Sequence, residues 1–370
     1  MSSHLNSSPM KIMYLITGLR VGGAEHQLLL LAENMKLQGF EVLVVAMESG
    51  GAMADRFKMA GIEVLELNIK GVKKLLNGYI TFKKALNYFS PDVVHSHMIH
   101  ANLFARLINV FGRKNKLIST AHNIREGSGM MMKFYRFTSF IPYWSTNVSR
   151  EAFSHFVGKK YFDAKRSSYI PNAIDTNRFN PGLSDKIHLK KQLGIDENTY
   201  VFFSAGRLHE QKNYQLILRA FQLVHRKMKN AVLVIAGEGN LEPYLKNLSL
   251  TLGISDKTLF LGRRDDIPEL LNSCDCFVLS STYEGFGLVI GEAMAMMKPV
   301  IATNCGGVKE VMGGFGRLIN VNDVHGFASA MLATYESPSS VTDLESARRH
   351  IVESYSVPLV MKQWTQLYSN

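Results

Sequence analysis

Apolar runs of about three to nine residues alternate with stretches of helical periodicity along almost the whole chain. The runs at 11–19, 41–47, 63–69, 93–97, 116–122, 145–149 and 168–170 read as strands, and 24–38 reads as the first helix between them. Alternation of this kind is what a parallel sheet with crossover helices requires. The pattern breaks over 171–198, which is polar and rich in Asn, Asp, Pro and Gly, with one helical piece at 186–193; this stretch is the expected crossing between domains. A second series follows at 200–205, 231–236, 258–261, 275–279, 300–303 and 316–319, and two helices at 343–354 and 358–368 close the chain with no strand after them. The expected fold is α/β, with two Rossmann-like doubly wound domains at 1–180 and 181–355 facing a central cleft. A final helix at 356–370 is expected to return to the first domain, with Trp364 as its anchor.

Composition narrows this picture in three ways. At 370 residues and 46% hydrophobic, the chain exceeds one ordinary core, so two domains are expected. Its three cysteines, Cys274, Cys276 and Cys305, lack a second Cys-x-x-Cys or a histidine cluster, which argues against zinc and against a disulfide framework. A polar N-terminus and the lack of a run of about 20 apolar residues lead to the expectation of a cytoplasmic protein, soluble or peripheral. The net charge of +11 sits entirely in residues 1–180, which hold 23 Lys and Arg against 12 acids, whereas 181–370 hold 19 of each. Such asymmetry suits an acidic partner, whether nucleic acid, anionic lipid or a phosphate-bearing acceptor, although solvated helix faces give the same count.

The most informative segment is Glu284-Gly285-Phe286-Gly287-Leu288-Val289-Ile290-Gly291-Glu292, expected to form a strand-to-helix turn. Its glycines allow a ligand close to the backbone, and the first amides of the following helix have no partner within the helix, which suits an anion. Glu284 in the loop could then reach a sugar ring beyond a phosphate, and Glu292, about a turn into the helix, could accept from ribose hydroxyls. Two solvated glutamates near a helix start remain the plainer reading. After the strand at 200–205 come Gly206, Arg207 and Lys212, a bidentate fork and a point charge suited to a diphosphate without a metal, and the chain has no Asp-x-Asp. Gly237 opens a similar small-residue turn. Near Arg263, backbone groups at 262–264 could meet a nucleobase edge, or Asp265 or Asp266 could simply cap the helix beginning at Pro268. Gly22 and Gly23 precede the first helix but do not form Gly-x-Gly-x-x-Gly, and Glu48 is the nearest acid that a dinucleotide ribose would want; they form an anion-binding or acceptor-facing loop, or merely a tight turn. Of His95, His97, His100 and His122, the first two are expected on opposite faces of their strand, and His122 is favoured as the residue facing substrate.

Taken in order, Gly22-Gly23-Ala24-Glu25, Pro171-Asn172-Ala173-Ile174-Asp175, Gly206-Arg207-Leu208 with Lys212-Asn213, and the glutamate pair resemble retaining glycosyltransferase family 4, of GT-B fold, which includes many enzymes of bacterial surface polysaccharide assembly. The resemblance covers nearly the whole chain, with Ala173 where the family commonly has glycine. It implies that 1–180 bind the acceptor and 181–355 the nucleotide sugar, a UDP-sugar being favoured. Arg207 and Lys212 would lie on the diphosphate and Glu292 on the ribose. Glu284, with Gly285, Phe286 and Gly287, would surround the sugar, followed by Leu288 and Val289, and His122 would face the sugar from the other domain. The implied reaction moves a hexose or N-acetylhexosamine to a glycan acceptor, lipid-linked through a polyprenyl chain, with retention, no cofactor and no metal. No nucleic-acid partner is then expected. A nucleotide-sugar epimerase of like architecture and a non-catalytic nucleotide-sugar sensor are the alternatives. The mixed segment 130–137 with Lys73, Lys74, Lys83 and Lys84 could touch an anionic membrane on the inner face of the plasma membrane, or 130–137 could be a packed core helix.

Overall fold

A computed structural model describes residues 9–69, 71, 74–110, 115–182 and 190–370. Of the helix expected at 186–193, residues 186–189 lie outside the described residues, as does Lys73. The chain divides into two compact units, Met1–Ala173 with Val360–Asn370, and Ile174–Leu359.

Among the described residues of the first unit, seven parallel strands run in the order β3-β2-β1-β4-β5-β6-β7. They are β1 (Lys11–Ile16), β2 (Glu41–Ala46), β3 (Glu63–Glu66), β4 (Val93–His97), β5 (Lys116–Ala121), β6 (Trp144–Asn147) and β7 (Ser167–Tyr169). Residues 12–16 of β1 are fully buried, as continuous apolar runs must be when helices cover both faces of a parallel sheet. One face packs Met13, Leu15, Leu43 and Val45 against Phe82 and Phe104 of the covering helices.

The second unit repeats the plan with the order β10-β9-β8-β11-β12-β13, also parallel throughout. Its strands are β8 (Tyr200–Ala205), β9 (Ala231–Ala236), β10 (Thr258–Phe260), β11 (Cys276–Leu279), β12 (Val300–Thr303) and β13 (Arg317–Ile319). The helix Tyr214–Lys227 shows why sequence periodicity is informative here: Ile217, Leu218, Phe221 and Val224 are fully buried on one stripe, and its last turn carries His225, Arg226 and Lys227 near the negative end of the helix dipole.

The division falls at 173/174 and 359/360, where 180/181 and 355/356 were expected. Hydrogen bonding explains the first shift. The Ile174 N–H donates to the Tyr355 carbonyl at 2.7 Å, and the Arg348 guanidinium donates to the Phe179 carbonyl at 3.0 Å, tying 174–179 to the second unit. The helix Val357–Ser369 continues into the first unit, where Trp364 lies on the His95 ring at 4.7 Å and the Tyr368 hydroxyl meets His95 Nδ1 at 2.8 Å.

Candidate active site

In a doubly wound sheet, the crevice for ligands opens at the carboxyl ends of two neighbouring strands whose connections run in opposite directions. In the second unit those strands are β8 and β11. The loops that follow them, 206–213 and 280–287, are stitched together by backbone and side chains. The Thr282 N–H donates to the Gln211 carbonyl at 2.8 Å, the Gln211 amide donates to the Tyr283 carbonyl at 2.9 Å, and the Ser280 hydroxyl donates to the Lys212 carbonyl at 2.8 Å.

At this junction Lys212 Nζ lies 2.5 Å from Glu284 Oε1, and the Ser281 hydroxyl donates to the same oxygen at 2.6 Å. The two charged side chains expose only 17% and 9% of their surface, so their bond is charge-assisted and only lightly screened. Behind Glu284 stands the loop after β12. A Cβ on Gly306, whose φ is +53°, would come 1.9 Å from the Glu284 carbonyl oxygen, so only glycine lets that loop close on the glutamate. Gly237 acts likewise in the loop after β9, with room for no side chain against the Gly206 carbonyl.

The predicted donor residues lie on the loops that follow β8, β9, β10 and β11 and on the helix after β11. Gly206 and Arg207 follow β8; the Arg207 side chain is exposed and makes no hydrogen bond or ion pair among the described residues. Gly237 and Arg263 follow β9 and β10, and Arg263 is exposed. Asp266 does not cap the following helix Ile267–Ser273 with its side chain. Its carboxylate is taken instead by Arg264, through a 2.7 Å bond from Nε and a second, shorter contact. Gly285 and Gly287 lie in the loop, Gly287 at φ +91°, and Leu288 opens the helix Leu288–Ala295. The Phe286 ring is buried edge-on against Tyr355 at 5.2 Å, so only its backbone is available to a ligand. Glu292 is the fifth residue of that helix, half-buried, and burial pushes its carboxyl up to about 7; the Arg178 guanidinium pulls it down and the Asp175 carboxylate adds to the rise.

In the first unit, His122 stands in the loop after β5, with Glu126 Oε1 accepting its backbone N–H at 2.6 Å and that of Asn123 at 3.0 Å. Burial lowers the His122 imidazole to about 4, so it is neutral near pH 7. The structure corrects the expectation that His95 and His97 face opposite ways. Residues two apart in a strand share a face. Their rings are 4.1 Å apart, and His97 Nδ1 meets His122 Nε2 at 2.9 Å. His100 is exposed on the next helix and does not join them.

The first glycine turn is partly filled by its own chain. Gly22 is the extended N-cap of the helix Gly23–Leu37, and a Cβ there would meet Glu25 Oε2 at 2.5 Å, so a carboxylate already lies against this helix start. Glu48 is paired with Arg20 at 2.9 Å. Ala173 sits without positive φ, clamped by the Gln27 side chain through two 2.8 Å bonds, so the turn requires no glycine.

The core-helix alternative for 130–137 does not hold. Within the helix Gly129–Phe137 only Tyr135 is fully buried, while Met130, Phe134 and Phe137 are 65%, 58% and 77% exposed.

Sequence reasoning missed Ser281, Gln211, Gly306, Glu126 and His97. For His97 the signal was present in the two-residue spacing from His95. For Ser281 and Gly306 none was available, because their roles depend on which strands lie side by side.

Family models match both halves of the chain: Glycosyltransferase Family 4 over residues 21–178 and Glycosyl transferases group 1 over 185–351. The chain is 26% identical over 386 residues to the UDP-Gal:alpha-D-GlcNAc-diphosphoundecaprenol alpha-1,3-galactosyltransferase of Escherichia coli, covering 99% of this chain and 97% of that protein. It is 31% identical over 176 residues to the lipopolysaccharide core biosynthesis mannosyltransferase LpsB of Rhizobium meliloti, covering 45% and 50%. Among solved structures, Anabaena HepE in complex with UDP-glucose superposes with a TM-score of 0.87 at 22% identity, over 97% of this chain and 99% of that one. With both halves matched and the two-sheet GT-B architecture shared, the chain belongs to the family 4 glycosyltransferases.

Proposed function

We propose that this glycosyltransferase moves a hexosyl or N-acetylhexosaminyl unit from a UDP-sugar to a lipid-linked glycan, with retention at the anomeric carbon and without a metal. The observation that carries the proposal is the Lys212–Glu284 pair with exposed Arg207 on the same loop, at the β8/β11 crevice. An arriving diphosphate would draw on Lys212 and Arg207, and two cations at the leaving group offset the charge that develops as the glycosidic bond breaks. Released from some of that pairing, the Glu284 carboxylate would meet the sugar, and Glu292 would accept from the ribose. His122, neutral, would contribute a hydrogen bond rather than a charge.

The UDP donor and lipid-linked acceptor gain support from the E. coli relative, named for UDP-Gal and a diphosphoundecaprenol acceptor, and from HepE, solved with UDP-glucose. Family membership gives no support to the epimerase or sensor readings. No described helix is long and apolar enough to cross a membrane. Docking at an anionic membrane surface is supported by Met130, Phe134 and Phe137, spaced four and three residues apart and exposed, with Lys133 and Arg136 between them.

The test is incubation of the purified protein with UDP-hexoses and UDP-N-acetylhexosamines, with and without a polyprenyl-diphosphate sugar, followed by mass spectrometry and NMR of the product. Acceptor-dependent transfer giving an α-linked product, undiminished by a chelator, is expected. A new sugar nucleotide formed without acceptor would overturn transfer in favour of epimerisation, a β-linked product would overturn retention, and loss of activity on chelation would overturn metal independence.

A further inference from the structure

His97 and His122 share a hydrogen bond between two ring nitrogens, Nδ1 and Nε2, 2.9 Å apart. Burial holds both imidazoles neutral near pH 7, so one proton lies in that bond and each ring has one proton in all. Two arrangements are possible. Either His97 donates, leaving its Nε2 bare and His122 protonated at Nδ1, or His122 donates, leaving its Nδ1 bare and His97 protonated at Nε2. Both outer nitrogens are enclosed and have no hydrogen-bond partner within the protein among the described residues.

The surroundings of the two rings decide between them. His97 is 2% exposed, its ring packed on His95 at 4.1 Å and near Tyr14 at 5.9 Å, and among the described residues no group accepts a hydrogen bond at Nε2. His95, its neighbour, is already satisfied at both nitrogens, by the hydroxyls of Tyr368 and Thr120. An N–H orphaned that deep is the more costly and rarer defect, more so than a bare lone pair. His122 as a residue is only half-buried and stands in a loop, the one after β5, so although its Nδ1 is enclosed, a shift of that loop or side chain on binding would let an incoming group satisfy an N–H there, which the strand position of His97 does not allow.

We infer that His97 is a positioning residue that makes His122 a hydrogen-bond donor: His97 Nδ1–H donates to His122 Nε2 and thereby holds the His122 proton on Nδ1 for an oxygen of the substrate. The inference rests on the reading of His122 as a substrate contact and deepens it. The group that meets His122 is then an acceptor oxygen, such as a sugar hydroxyl, and the imidazole does not serve as a base. Through His95, ordered by Tyr368 and Trp364 of the last helix, the same stack ties that helix to the orientation of His122.

The test uses the full chain labelled with 15N-histidine. Long-range 1H–15N correlation near neutral pH, with H97N and H122N for assignment, reads each tautomer directly, and Nδ1–H is expected for both residues. In H97N the amide can still donate to His122 Nε2, and kcat should stay within about twofold of wild type; H97L should lose about tenfold in kcat, one hydrogen bond's worth, at unchanged KM for the nucleotide sugar. An Nε2–H tautomer at His122 in the wild-type chain overturns the inference, and that spectrum decides the matter even if H97L fails to fold. A wild-type kcat in H97L beside an inactive H122A removes the positioning role alone. A wild-type kcat in H122A removes the substrate contact itself, and the positioning role with it.

Discussion

Replacing Glu284 with Gln separates a structural salt bridge from a catalytic carboxylate, because the two roles predict different readouts of one change. The substitution keeps the shape and an oxygen for the Ser281 hydroxyl, and removes only the charge facing Lys212. A hydrogen bond to a charged group is worth about 1.5–3 kcal/mol and a neutral one about 0.5–1.5. The Lys212 side chain, 17% exposed, regains some hydration, and an amide is easier to bury than a carboxylate, so the net loss should be about 1 kcal/mol. For a unit of this size that lowers Tm by about 2–4 °C. If Glu284 meets the sugar as its bond breaks, kcat should fall by about 100-fold or more while nucleotide affinity changes little. Differential scanning calorimetry, calorimetric titration with UDP and steady-state transfer assays read the three quantities on one preparation. A kcat within about threefold of wild type, alongside the expected fall in Tm, would refute the catalytic role and leave a structural pair. Adding Lys212→Met completes a double-mutant cycle, in which residues in contact should couple by about 0.5–3 kcal/mol.

Other perturbations probe the elements around that pair. Glu292 has a folded-state pKa raised to about 7 against about 4.3 when unfolded, so the folded state binds more protons between those values and stability falls as pH rises through the window. Discounted for its half-buried position, the effect should be about 2 kcal/mol, and Glu292→Gln should flatten the decline in Tm between about pH 4 and 7, the range between the unfolded and folded values. If Glu292 also binds the ribose as a carboxylate, UDP binding near pH 6 should release more protons in the wild type than in the Gln variant, where only the UDP phosphate contributes, read as heats that differ between buffers of different ionisation enthalpy; roughly equal release in both would refute ribose contact. Gly306→Ala forces a side chain onto the Glu284 carbonyl at φ +53°; it should cost about 1–3 kcal/mol and reduce kcat, and a wild-type kcat would show that the loop after β12 does not hold Glu284 in place. Phe134→Ser with Phe137→Ser should cut co-sedimentation with anionic liposomes at low salt and leave Tm nearly unchanged, since both rings are exposed; undiminished sedimentation would remove this helix as the docking face.

The local structure of the candidate site was largely legible without coordinates. Loop and helix positions for Glu284 and Glu292 followed from Gly285, Gly287 and the apolar run before them, and the helix begins at Leu288, between the two glutamates. The histidines were misjudged by a period: the two-residue repeat of a strand was applied as though it separated His95 from His97. The exposed face of 129–137 was ambiguous for a physical reason. Met130, Phe134 and Phe137 share a helical stripe that suits a core as well as a membrane, and only the position of Tyr135, Met131 and Met132 against Phe156 and Phe162 shows which side is inward.

By itself the sequence determined the alternation of strands and helices, because buried parallel strands must be apolar throughout and covering helices must be amphipathic, and both are local patterns. It also set out which charges and glycines follow each strand. Strand order lay beyond it. β11 lies beside β8 although two strands intervene in the chain, and that choice brings Lys212 to within 2.5 Å of Glu284 across 72 residues. The pairing of the consecutive strands β4 and β5 sets His122 against His97, a contact that strand neighbourhood rather than either strand's own pattern decides. Neighbouring in a sheet is a property of the packed whole, where strand pairs compete for one core, and no periodicity along the chain records which pair wins.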